Sequence, residues 1–225
     1  MMKLIFLGDS LMQENARDSF PQTGWPQMLP HYFLLPEAAA VVNLAKNGRS
    51  SKSFIAEGLF AKALSEAGPG DVVFLGFGHN DEKKEDESRY ADPFGAYQAN
   101  LEAMAKAFRD KGAAVILLSP IERLHVDREG NVEHSHGDYP TAVKQLAAKL
   151  GLPFIDLTEL THSYLESHSF AVNSGYYMIF GKDEYPSHPA GSDDRTHLSQ
   201  TGANWICQLL VPELKKVDAL RGLFR

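Results

Sequence analysis

Five short runs rich in β-branched and aromatic residues alternate along this chain with longer amphipathic stretches, and this alternation restricts the fold more than any other feature. The runs are Lys3–Leu7, Ala40–Leu44, Asp71–Phe77, Ala114–Ser119 and Pro153–Asp156. The helical patterns between and after them are Ser53–Ala67, Pro93–Lys111, Tyr139–Leu150 and Ser199–Ala219. Glycine and proline punctuate the joins at Gly68-Pro69-Gly70, Lys111-Gly112 and Gly151-Leu152-Pro153. Strands separated by helices of this length build βαβ units, whose parallel sheet must be covered on both faces. Right-handed crossovers then predict an α/β fold. The expected form is a three-layer α/β/α sandwich around a flavodoxin-like parallel five-stranded sheet, ordered 2-1-3-4-5. No repeat, linker or low-complexity stretch interrupts the pattern, so 1–225 reads as a single domain.

Charge and cysteine usage remove several function classes. The chain has 22 Lys+Arg against 29 Asp+Glu, a formal net charge of −7, and no basic block. Phosphate neutralisation needs a basic footprint, so no nucleic-acid partner is expected. The longest apolar runs, such as Leu4–Leu7 and Val115–Leu118, fall far short of the roughly 18 residues of a membrane span. Lys3 is followed by four apolar residues and then Gly8 and Asp9, too few for a secretory signal, so the expected location is cytoplasmic. The single cysteine, Cys207, excludes a disulfide framework and a thiolate metal cluster. Its place in the apolar stretch Ala203–Val211 marks it as a buried structural thiol.

Two stretches break the alternation. Arg123–Gly137, with three histidines, reads as a long loop or hairpin, and Phe180–Asp194, with two prolines and two glycines, reads as irregular. Loops of that length in a compact fold usually carry function. In an open α/β sheet they matter most at the carboxyl ends of the strands, where ligands bind.

The chain lacks a phosphate-binding P-loop, a dinucleotide fingerprint, a Gly-x-Ser-x-Gly elbow, a Ser-x-x-Lys pair and a His-Glu-x-x-His zinc helix. It does contain Gly8-Asp9-Ser10-Leu11 directly after the first strand, where a serine hydroxyl can sit exposed at the rim. A nucleophilic serine needs a histidine base and an acid to orient it. Asp194-Arg195-Thr196-His197 supplies both: an acid and a histidine three apart on a tight turn can meet, leaving Nε2 free for the serine proton. Acyl transfer also needs donors aimed at the developing oxyanion. The N–H groups of Ser10 and Gly48 and the side-chain amide of Asn80 follow strands one, two and three and would supply them. Each piece alone could be a helix cap or a turn residue. All of them lie where the fold gathers its ligand site.

These blocks resemble those of the SGNH (GDSL-type) hydrolases: Ser10 in Gly-Asp-Ser-Leu, Gly48, Asn80 in Gly-His-Asn-Asp, and the Asp194/His197 pair. Within that superfamily the chain looks most like the rhamnogalacturonan acetylesterases. The shared stretches are Gly24-Trp25, Asn43–Ser50, Gly70-Asp71, Phe77–Asp81, Tyr139-Pro140, Ile155–Leu157, Asp194–His197 and Gly202-Ala203. The resemblance implies a serine esterase that removes O-acetyl groups from acetylated, pectin-derived rhamnogalacturonan oligosaccharides by way of an acetyl-serine. Acetylated xylan is the alternative carbohydrate. A lysophospholipase or thioesterase would need a long apolar channel, which the polar Phe180–Asp194 stretch does not build. A non-catalytic binding module would have replaced at least one of Ser10, Asn80, Asp194 or His197, and none is replaced.

The chemistry calls for no cofactor and no metal. His125, His134 and His136, with Asp127 and Glu133, read as an exposed polar loop rather than a metal site, and Lys83–Glu87 as a solvated one. Arg49 and Arg195 flank the catalytic blocks and could read a sugar carboxylate bidentately or form structural ion pairs. His79 is a third candidate for substrate contact, with Asp9 beside it; both could equally hold neighbouring loops. Trp25 reads as core rather than as a sugar platform.

Overall fold

In the computed structural model, which describes residues 1–35 and 37–225, five parallel strands form the central sheet in the order β2-β1-β3-β4-β5. They are β1 (Met2–Gly8), β2 (Ala39–Asn43), β3 (Val72–Gly76), β4 (Ala114–Leu118) and β5 (Phe154–Ile155). The expected topology is the observed one. Alternation along each strand divides the core in two. Leu4, Phe6, Val72, Phe74, Ile116 and Leu118 face α5 (Leu157–Glu166) and α7 (Gln200–Leu214). Ile5, Leu7, Val73, Leu75, Val115 and Leu117 face the opposite layer. That layer comprises α1 (Ser51–Ala56), α2 (Leu59–Glu66), α3 (Gln98–Asp110) and α4 (Tyr139–Leu150). All twelve strand side chains are at most 2% exposed, each contributing about 1.5–3 kcal/mol of burial. Trp25 is fully buried and meets Phe6 edge-on at 5.3 Å, as a core residue does. Cys207 is likewise buried, in α7.

The helical segments differ from the sequence pattern in instructive places. The Ser53–Ala67 stretch is two helices, because Gly58 takes φ +75° and turns the chain between α1 and α2. The Pro93–Lys111 pattern opens with an irregular turn at Gly95, and α3 proper begins at Gln98. The last helix ends at Leu214 rather than Ala219, two residues after Pro212. Further elements have no counterpart in the sequence pattern. Helix α5 follows β5 with only Asp156 between them, its side chain accepting the Glu159 N–H. Part of the second irregular stretch belongs to an antiparallel hairpin of β6 (Tyr177–Phe180) and β7 (Ser192–Leu198). A short helix, α6 (Phe170–Asn173), leads into it. In the first stretch an isolated Val126–Val132 bridge closes a hairpin-like loop over Asp127–Gly130.

Candidate active site

The site is built where three strands end. Gly8 and Gly76 are register partners at the carboxyl ends of β1 and β3. A Cβ on Gly8 would lie 2.5 Å from Met12 Sδ and from the Gly76 carbonyl, and one on Gly76 would lie 2.6 Å from the same sulfur. The paired glycines therefore let the Asp9–Met12 turn drop onto the sheet edge. Asp9 holds that turn, its carboxylate accepting the Leu11 N–H at 3.0 Å and its carbonyl the Gln13 N–H at 3.0 Å. Ser10 sits at the turn's head.

Asp194 and His197 come from β7, which is not a regular strand. Tyr177 pairs with Leu198 while the next residue, Met178, pairs with Asp194, so Arg195–His197 bulge out of the ladder. The Asp194 carboxylate organises the bulge: Oδ1 accepts the Thr196 and His197 N–H groups at 2.9 and 3.0 Å. Its Oδ2 meets His197 Nδ1 at 2.6 Å, and His197 Nε2 meets Ser10 Oγ at 2.9 Å. The expected tight turn is thus a bulge within a strand. Burial alone would push the Asp194 carboxyl up. The hydrogen bond and charge of His197, with the two backbone N–H groups, outweigh burial and hold it down at about 2. Outside the bulge, Leu124 N–H donates to the Arg195 carbonyl and Thr23 N–H to the Leu198 carbonyl, fixing the segment on both sides.

The donors expected for an oxyanion lie on the neighbouring loops. Gly48 adopts φ +77° with open space where a Cβ would be, so the left-handed turn, not crowding, calls for glycine. Among the described residues, the Ser10 and Gly48 N–H groups have no protein acceptor. Asn80 Nδ2 faces the Arg49 carbonyl at 3.2 Å, and Asn80 Oδ1 accepts from Arg89 Nη1 at 3.2 Å. A guanidinium only donates, so Arg89 fixes which end of the amide is which. Asp86 in turn holds Arg89 through Nε at 2.6 Å. Asp81 accepts the Ser51 N–H at 3.0 and 3.1 Å and the Ser51 hydroxyl, tying the Asn80 loop to the start of α1 just past Gly48. Burial pushes the Asp81 carboxyl up to about 8, against the pull of those Ser51 donors.

Other candidates lie elsewhere. His79 is 5% exposed, with Nδ1 3.2 Å from Asp9 Oδ2, and joins the loops after β1 and β3. Arg49 is paired with Glu57 at 2.9 Å, and Arg195 with Asp193 at 3.1 Å while lying over the Phe170 ring. The Lys83–Glu87 run is not merely solvated, since Asp86 within it clamps Arg89. Only an acid and an arginine three residues apart, close after Asn80, could have signalled this.

Residues 6–205 match the GDSL-like lipase/acylhydrolase family. The chain belongs to that family. It is a carboxylic ester hydrolase. The rhamnogalacturonan acetylesterase RhgT of Bacillus subtilis is 31% identical over 216 residues, 96% of this chain and 90% of the relative. The probable rhamnogalacturonan acetylesterase YesY of the same organism is 34% identical over 210 residues, 93% and 91% of the two chains. Among solved structures, the YxiM protein of Bacillus subtilis superposes with a TM-score of 0.79 at 27% identity, covering 99% of this chain. The chain spans 58% of that protein's length. Axe2, an acetylxylan esterase of Geobacillus stearothermophilus, superposes with a TM-score of 0.67 at 19% identity over 98% of this chain and 96% of its own. That likeness establishes the fold.

Proposed function

We propose that this chain is a serine acetylesterase acting on acetylated carbohydrate, with pectin-derived rhamnogalacturonan oligosaccharides as its substrate class. The observation that carries the reading is the hydrogen-bonded relay Asp194–His197–Ser10, at 2.6 and 2.9 Å, beside the Asn80 amide. In this reading His197 Nε2 takes the Ser10 proton as Oγ attacks the acetyl carbonyl. The tetrahedral oxyanion is held by the N–H groups of Ser10 and Gly48 and by Asn80 Nδ2. His197 then gives the proton to the departing sugar hydroxyl, and water releases acetate from Ser10 by the reverse route. Asp194, ionised down to about 2, keeps Nδ1 protonated and offsets the imidazolium charge.

The acetyl-sugar assignment rests on the two Bacillus relatives. A cleft of about 800 Å³ is walled by Arg17, Asp18, Gln22 and Gln27 beside Phe20 and Met28. Gln22 bridges to Ser199, two residues past His197, so the cleft borders the segment carrying the base. Arg195, in the catalytic bulge, would read a galacturonate carboxylate by exchanging its partner Asp193; Arg49 would have to leave Glu57. The reading is tested by acetate release from acetylated rhamnogalacturonan oligosaccharides, acetylated xylo-oligosaccharides, an acyl-CoA and a lysophospholipid. Preferential turnover of the first set is expected. Preferential turnover of xylan fragments would move the substrate, and turnover of only the lipid or thioester would overturn the carbohydrate assignment. A raised KM on acidic oligosaccharides for Arg195→Ala, with kcat retained, would place the carboxylate contact; an unchanged KM would exclude it.

A further inference from the structure

Beneath the histidine-bearing loop, Glu122, His134 and His162 converge from three parts of the chain. Glu122 lies just past β4, His134 in the loop before α4, and His162 on α5. Their candidate ligand atoms all fall within 4.8 Å of one another. The Glu122 side chain is wholly buried. Its Oε1 accepts the Ser135 N–H at 2.6 Å and the Ser135 hydroxyl. Its Oε2 faces two imidazoles, His134 Nδ1 at 3.2 Å and His162 Nδ1 at 3.9 Å.

His162 is the informative member. It is 8% exposed, and its Nδ1 is a buried atom with no hydrogen-bond partner. On the far side of the ring, Nε2 lies 3.5 Å from Glu166 Oε1. A carboxylate there holds the proton on Nε2 and leaves the Nδ1 lone pair pointing inward. That lone pair faces the Glu122 carboxylate across 3.9 Å with no hydrogen bond between them, while Oε2 has His134 Nδ1 as its partner at 3.2 Å. A cation at Oε2, in place of the His134 proton, takes the Nδ1 lone pairs of both rings. The acid–histidine–metal arrangement, with the outer nitrogen on a carboxylate, is the usual way a ligating histidine is oriented.

We propose that Glu122, His134 and His162 form a divalent metal site, with Zn²⁺ the ion that suits two imidazoles and one carboxylate. Three protein ligands leave a fourth position for water. That position opens on the His134 side, where the imidazole is 61% exposed. Zinc bonds of about 2.0–2.2 Å in tetrahedral array set donor atoms roughly 3.4 Å apart. His134 and His162 are now stacked, with ring centroids 3.7 Å apart and planes 19° from parallel. One ring must turn to aim its lone pair, and the exposed His134 is free to do so. The other histidines of the loop are not ligands. His136 is buried, with Nδ1 on Glu82 and Nε2 on the Ile121 carbonyl.

The ion would serve structure rather than the acyl transfer. It would pin the 123–137 loop and α5 to Glu122, two residues before Leu124, whose N–H holds the Arg195 carbonyl in the catalytic bulge. The test uses the full chain without an affinity tag, stripped with chelator and titrated with Zn²⁺ by calorimetry and by equilibrium dialysis with metal analysis. One Zn²⁺ per chain is expected, with a higher melting temperature. Co²⁺ should give the absorption bands of a tetrahedral site. His134→Ala, an exposed change that the fold tolerates, and His162→Ala should each weaken binding at least about 10- to 100-fold, the loss known for merely supporting residues. Absence of saturable binding to the folded wild type would overturn the site. So would wild-type affinity in both variants.

Discussion

Replacing Asp194 by asparagine should reverse the hydrogen bond that orients His197, the proposed base. Oδ1 of Asp194 accepts two backbone N–H groups at 2.9 and 3.0 Å, and Oδ2 accepts from His197 Nδ1 at 2.6 Å. An asparagine has one acceptor. Keeping it on the two backbone donors places the amide NH₂ opposite His197 Nδ1, where it can only donate. The imidazole proton then moves to Nε2, which faces Ser10 Oγ at 2.9 Å and can no longer accept. The productive flip gives up two backbone hydrogen bonds, about 1 kcal/mol each, so roughly one molecule in 30 carries the correct tautomer. The lost carboxylate stabilised the imidazolium by about 2–3 kcal/mol, as hydrogen bonds to charged groups do. Together these predict a fall in kcat of about 10³–10⁴, the scale known for the same change in other serine triads. KM should barely move. Asp194→Ala removes the donor conflict and lets water take the place of the partly exposed carboxylate, so it should retain more activity than Asp194→Asn. The assay is steady-state release of acetate from a chromogenic acetate ester. An asparagine variant within tenfold of wild type, or one more active than the alanine variant, would refute the tautomer reasoning.

Asn80→Ala should lower kcat about 10²–10³-fold with little change in KM. Arg89→Ala should fall between that variant and wild type, because the amide remains but loses the donor that fixes its orientation; steady-state kinetics on both variants separates the effects. Gly202→Ala should destabilise the fold by at least about 2 kcal/mol in urea unfolding. Its Cβ would lie 1.8 Å from the Tyr176 carbonyl oxygen, where α7 begins. The depressed Asp194 carboxyl also makes a pH prediction. Its folded value of about 2 lies below the unfolded aspartate value near 3.9, so its contribution is complete above about pH 4 and disappears as pH falls through 2. The wild type should therefore be the more stable at neutral pH, and the stabilities of wild type and Asp194→Asn should converge towards pH 2. The difference should be small, because the carboxylate is 38% exposed and screened by solvent.

What could be read from the residues was what local chemistry dictates. Unbroken apolar runs such as Leu4–Leu7 and Val72–Leu75 carry both cores, and the turn residues after them mark where side chains gather. Ser10, Gly48, Asn80, Asp194 and His197 were legible because each is tied to a strand end or a helix start. The β6–β7 hairpin was not. Ser192–His197 is polar along its whole length and pairs through a three-residue bulge, so its extended form depends on Tyr177–Phe180 and on the loops beside it. Gly58 hid a helix break inside an unbroken amphipathic pattern. The convergence of Glu122 with His134 and His162, and of Arg89 with Asn80, lies in side chains brought together by loop paths. Sequence spacing does not encode such paths. The ion pairs of Arg49 with Glu57 and of Arg195 with Asp193 were legible as one of two outcomes, because an acid lies close in sequence to each arginine.

The account stands most directly on an acetyl group carried by Ser10. Wild type and Ser10→Ala would be mixed with acetylated rhamnogalacturonan oligosaccharide, quenched at intervals, digested, and examined by peptide mass mapping alongside acetate release. The account predicts that one acetyl appears on the Ser10 peptide of the wild type and decays at the turnover rate, while Ser10→Ala shows neither adduct nor turnover. Turnover in Ser10→Ala at the wild-type rate, with no acetyl on the wild-type Ser10 peptide, would contradict it.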